Sequence, residues 1–119
     1  MSKFYGFTSD VERKERLKQQ EPESGLEIDG ADLVVLDQIG EGGYGVVQVC
    51  YHTKHHLVFA VKQPRTLNKR DIGKLKNEYR YMRQFSRHPG VIHAFGWVDQ
   101  IGNARTPGIV QEYAIYQSA

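Results

Sequence analysis

The chain has 119 residues, enough for one domain, and a domain of this size buries roughly two-thirds of the surface its unfolded chain exposes. Lys and Arg total 16 against 14 Asp and Glu, and the resulting net charge of +2 is too small to mark a nucleic-acid-binding protein. The single Cys50 excludes an internal disulfide and suits a reducing compartment, and no apolar run reaches the roughly 18 residues that would span a membrane. The start, Met1-Ser2-Lys3-Phe4, shows neither a secretory leader nor a glycine for myristoylation. The expectation is an intracellular, cytoplasmic protein with no membrane or nucleic-acid partner.

Residues 1–30 read as a mobile charged tail: Glu12 to Gln20 is nearly free of apolar side chains, and Pro22, Ser24 and Gly25 then interrupt it. Phe4, Tyr5 and Phe7 ahead of it are either a short docking element or ordinary surface aromatics. Residues 31–119 form the expected domain. Its first strand runs from Leu33 to Ile39 and its second from Val46 to Tyr51, both rich in β-branched residues. Between them lies Gly40-Glu41-Gly42-Gly43-Tyr44-Gly45. Because the chain stays extended on both sides, these glycines belong to a hairpin. A dinucleotide-binding fingerprint would lead from a strand into a helix, and a P-loop would end in Gly-Lys-Ser/Thr, which this chain lacks. The glycines either close a turn or let the hairpin backbone lie over phosphates.

A third strand, Leu57-Val58-Phe59-Ala60-Val61-Lys62, alternates. Val58, Ala60 and Lys62 share one face; Leu57, Phe59 and Val61 share the other. Ala60 leaves room for a flat ring while Lys62 either reaches phosphate oxygens or ends the strand in water. From Asn68 to Phe85 the spacing of Ile72, Leu75, Tyr79, Met82 and Phe85 predicts a helix, with Asn68 or Asp71 as N-cap. At 100° per residue Glu78 falls inside the apolar arc, between Phe85 and Met82. A carboxylate aimed at a core must find a cation or take up a proton, unless it reaches the edge of the stripe. Lys62 is the candidate partner. The basic residues of this segment, from Arg65 to Arg83, read as a solvated face, and His52, His55 and His56 crowd the turn between the second and third strands without a carboxylate or thiolate to complete a metal set.

In this order the elements resemble the amino-terminal lobe of a eukaryotic-type protein kinase. Gly40-x-Gly42-x-x-Gly45-x-Val47 is similar to that family's phosphate-covering loop, Ala60-Val61-Lys62 to its Ala-x-Lys, and Glu78 to the helix glutamate that pairs with the lysine. His88-Pro89-Gly90-Val91-Ile92 resembles the turn after that helix, and Gly108 to Ala114 the fifth strand entering the hinge. The resemblance implies an α+β fold, a five-stranded antiparallel sheet with one packed helix, the catalytic carboxy-terminal lobe being absent.

The resemblance also implies a site. Lys62 and Glu78 would carry the catalytic positioning. Ile39, Gly40, Glu41, Gly42, Gly43, Tyr44, Gly45, Val46 and Val47 would cover ATP; Ala60 and Val47 would sandwich adenine, and the backbones of Glu112 and Ala114 would bond it. Gln111 would guard the back of the pocket, where an apolar residue or Thr is usual, and Val110 would join Ile39, Val47 and Ala60 in the cleft roof. The complete enzyme would transfer phosphate from ATP to protein hydroxyls, Ser/Thr ahead of Tyr. No His-Arg-Asp or Asp-Phe-Gly occurs, so the chain alone is expected to be inactive and Mg2+ to bind only with the second lobe. The alternative is a non-catalytic nucleotide-binding or interaction module on the same fold.

Overall fold

The computed structural model describes residues 27–42 and 45–113. The expectations for the tail to residue 26, for Gly43 and Tyr44 and for Ala114 lie outside them. Five strands form one sheet: β1 (Leu33–Gly42), β2 (Gly45–His52), β3 (Leu57–Gln63), β4 (Ala94–Val98) and β5 (Gly108–Gln111). Helix α1 (Lys69–Gln84) joins β3 to β4. Every pairing is antiparallel and the spatial order is β1-β2-β3-β5-β4, so the last strand inserts between the third and fourth. The expected α+β architecture is the observed one.

Side-chain alternation divides the core in two. On one face Phe59 and Val61 of β3 pack with Cys50, Phe95 and Val110, and the Phe59 and Phe95 rings meet edge to face at 5.2 Å between centroids. The packed chain reaches back to Ile28, which lies against this cluster just before a short 3-10 turn at Gly30–Asp32. On the other face Leu75 and Met82 of α1 pack on Ala94 and Ile109.

Helix α1 starts where the Asn68 side chain accepts the Asp71 amide hydrogen at 2.8 Å, so Asn68 is the N-cap and Asp71 lies in the first turn, bonded to the Thr66 hydroxyl at 2.7 Å. Its apolar arc is narrower than the spacing predicts. Leu75 and Met82 are buried, Ile72 and Tyr79 half-buried, and Phe85 is 41% exposed with its ring against Tyr81. The helix has only the thin β4–β5 half of the sheet beneath it, so one pair of residues per two turns suffices to fill the contact. Arg83 ties its last turn to β4 by donating to the Ala94 carbonyl at 2.8 Å.

Candidate functional site

The sheet register builds the site. Residues directly opposite across strands share a face, so Gly40, Val47, Lys62 and Ile109 form one row and Asp37, Val49, Ala60, Gln111 and Ala94 the next. Val47, Ala60, Lys62 and Gln111 are thereby brought onto one surface from three strands. This is also the face that carries α1.

Lys62 reaches across to α1, its Nζ lying 2.7 Å from Oε1 and 2.9 Å from Oε2 of Glu78. The lysine side chain is 16% exposed and the glutamate 39%. Glu78 thus stands partly exposed at the rim of the apolar stripe and still holds the ammonium with both carboxylate oxygens. Such a forked contact fixes a flexible lysine in one place, its ammonium beside the Val47–Ala60 surface.

The hairpin above this surface carries its own geometry. The β1–β2 register slips between Val35 and Asp37 and again between Gln38 and Gly40, so Leu36 and Ile39 are extra residues in the ladder. Ile39 is 48% exposed on the second slip, Glu41 pairs with Val46, and the Glu41 carboxylate accepts from the Gln38 side-chain Nε2 at 3.4 Å. Gly42 faces Gly45 at the end of the ladder. Gly45 has φ +129°, and a Cβ there would overlap the Gln63 carbonyl oxygen, so this glycine is demanded by the backbone itself. Gly40 is different, since a Cβ would meet only the Val47 Cβ at 3.9 Å.

Two site residues lie on the opposite face from the expected surface. Val110 pairs with Val61 and is fully buried in the core with Phe59, so it cannot line a cleft roof beside Ala60. The alternation of β5 sends Ile109 and Gln111 to that surface and Val110 away from it. Val46 likewise pairs with Gln63 on the side away from Val47. Gln111 is 9% exposed, opposite Ala60 on one side and Ala94 on the other.

Beyond Gln111 the chain is pinned in a way that residue patterns did not reveal. Glu112 is 8% exposed; its amide donates to the His93 carbonyl at 2.9 Å, and its Oε1 accepts the His93 amide hydrogen at 2.9 Å. His93 is 6% exposed and stands edge-on to Phe95 at 4.7 Å. The only sequence signal for this clamp was a glutamate placed directly after a run of buried strand residues. Cys50 is fully buried, and burial pushes its thiol up to about 11, which leaves it inert. Among the described residues no three His, Cys, Asp or Glu groups cluster to hold a metal ion, and no helix is long and apolar enough to cross a membrane.

The sequence matches the protein kinase domain family over residues 33–118. It is also similar to the dual specificity mitogen-activated protein kinase kinase sek-1 of Caenorhabditis elegans, 29% identical over 90 residues, which are 75% of this chain and 27% of that protein. The chain therefore spans about a quarter of the length of the curated relative it matches.

Proposed function

Since the chain belongs to the protein kinase domain family, we propose that residues 33–114 are its ATP-binding lobe, serving phosphoryl transfer to protein hydroxyls in the complete enzyme. The observation that carries this reading is the Lys62–Glu78 contact, at 2.7 and 2.9 Å, between β3 and α1. Phosphoryl transfer asks little covalent chemistry of a protein and much positioning and charge stabilisation. A lysine held by a forked carboxylate contact is a positive charge at a fixed place, which is what negatively charged phosphate oxygens need.

The other residues take roles that their places support. Val47 and Ala60 present a flat apolar surface one row apart, suited to one face of adenine, with Ile39 beside them. The backbone of the glycine-rich hairpin, with Glu41 in its ladder, covers the phosphates, and Tyr44, outside the described residues, is assigned the role of shielding them. Because the Glu112 amide is committed to His93, its backbone contact to adenine runs through the carbonyl, and the matching donor is the Ala114 amide. Gln111 closes the back of the pocket with a polar side chain. Magnesium would supply further charge neutralisation on the phosphates; the residues present here bind and orient the nucleotide, and transfer awaits a base and metal ligands from the second lobe. Residues that distinguish serine and threonine from tyrosine belong to that lobe as well.

The test is nucleotide affinity of residues 1–119 measured by calorimetry with ATP, with Lys62→Met beside the parent. A loss of about tenfold or more in the variant, with an unchanged circular dichroism spectrum, supports the reading. Equal affinity in both proteins, or none in the parent, would favour an interaction module that reuses the fold.

A further inference from the structure

The segment that leads into β1 is held against the β2–β3 turn by a cluster of histidines that the nucleotide site does not use. His52, at the end of β2, is 1% exposed. Its Nδ1 accepts the His55 amide hydrogen at 3.1 Å, and the two rings stack at 4.6 Å between centroids with 29° between planes. His55 Nε2 lies 2.7 Å from the Glu27 carbonyl oxygen. The Thr53 amide and hydroxyl both donate to the Asp32 carbonyl, at 3.0 and 3.3 Å, and Lys54 Nζ is 3.5 Å from the Asp32 carboxylate. On the far side the Gly102 amide donates to the Gly30 carbonyl at 2.8 Å, and a Cβ at Gly30 would overlap the Gln100 carbonyl oxygen. Residues 27–32 are thus threaded between two loops. All contacts on the histidine side pass through the turn that His52 shapes.

We infer that His52 and His55 form a proton-sensitive latch that fastens residues 27–32 to the β2–β3 turn while His52 is neutral and releases them when His52 is protonated. The reason is the hydrogen-bond inventory. A neutral His52 can accept at Nδ1 only with its proton on Nε2; the charged ring carries hydrogens on both nitrogens and turns the His55 contact into donor against donor. Stacking then sets a buried charge beside a second imidazole. The buried Nε2 has no hydrogen bond of good geometry, and the Asp29 backbone beside the ring offsets the cost of a charge only in part. The groups facing His52 divide: burial first, then His55, lower its proton affinity, while the Asp29 backbone and the Asp32 and Asp29 carboxylates raise it, and the outcome is a titration below the usual 6.5. Phe59, edge-on at 6.4 Å, adds no charge, Lys54 offsets Asp32, and His56 is turned aside toward the Tyr51 hydroxyl at 2.8 Å.

The latch is therefore closed at neutral pH and opens as pH falls through the depressed His52 titration. Two measurements on the whole chain test it. Nitrogen-15 NMR of the imidazoles should show His52 with Nδ1 unprotonated near pH 7 and titrating below the free-histidine range. Hydrogen exchange, corrected for its intrinsic pH dependence, should speed up roughly tenfold in residues 27–33 between about pH 7.5 and about pH 5.5 while β4 is unchanged. His52→Phe, which keeps the ring against Phe59, should remove that step. The inference is overturned by a His52 titration at or above the usual value, by equal acceleration in β4, which would mark global unfolding, or by a step that persists in His52→Phe. Should that variant fail to fold, the titration and the β4 comparison decide on the parent alone.

Discussion

At the scale of single residues, the forked contact on Lys62 separates two kinds of loss. Lys62→Met removes the charge proposed to meet phosphate, so in a complete form of the proposed enzyme transfer should be abolished; turnover at the parental rate would sink the assignment. Glu78→Gln leaves a side chain of the same shape beside the ammonium but removes the charge that fixes it, so the expected result is a lowered kcat with a smaller change in KM, read from initial rates. The glycines divide as sharply. Gly45→Ala forces a Cβ into a backbone with φ +129° and onto the Gln63 carbonyl, and a destabilisation of about 2 kcal/mol is expected by urea unfolding, because strained backbone of this kind costs on the order of 1 to 3 kcal/mol. Gly40→Ala meets only a 3.9 Å contact with Val47, so stability should be unchanged. Any fall in ATP affinity in that variant then reports the space a phosphate needs, since the fold has nothing against the methyl group.

At the scale of elements, α1 packs through Leu75 and Met82, is tied to the sheet by Glu78 and Arg83, and is capped by Asn68. Leu75→Ala should cost about 3 kcal/mol, the range for emptying a packed leucine site, whereas Ile72→Ala, half-buried at the edge, should cost less than about 1 kcal/mol. Asn68→Ala should cost about 1 kcal/mol through the lost bond to the Asp71 amide. Thermal or urea unfolding of the three variants checks the order. The helix was legible in the sequence because its period and its cap agree, and β3 was legible because Phe59 and Val61 alternate with Ala60 and Lys62. The partnership of Glu78 with Lys62 was suggested by a carboxylate on the helical wheel's apolar arc, although the structure places it at the rim of that arc. By contrast β4, Ala-Phe-Gly-Trp-Val, is short and carries a glycine beside its register slip between Ala94 and Gly96, so period alone does not pick it out. The width of the helix contact, the slips at Leu36 and Ile39, the true face of Val110 and the Glu112–His93 clamp depend on which strands become neighbours. Local patterns do not encode that.

At the scale of the whole molecule, the described surface leaves Ile39 on the hairpin and Tyr81 and Phe85 on α1 between 41% and 55% exposed. Residues 1–119 expressed alone should bind a hydrophobic dye and self-associate, which fluorescence and light scattering would register; a monodisperse chain without dye binding would contradict this. ATP near its dissociation constant should add only about 0.4 kcal/mol of stability, because the gain is RT ln(1 + [L]/Kd). Acid should subtract stability through His52. Its folded titration lies below the usual 6.5, so its contribution is complete above about pH 6.5 and drains away as pH falls toward the folded value, flattening in His52→Phe. The sheet order has one further consequence, for synthesis. Among the described strands β5 is made last yet fills the gap between β3 and β4, and β4 has no other neighbour among them. A nascent chain can zip β1, β2 and β3 as they leave the ribosome, but α1 and β4 must wait for Gly108–Gln111 before Ile109 can receive Leu75 and Met82. During that interval the emerging chain is a three-stranded meander with an undocked helix, and a pause in translation just before β5 would hold it there.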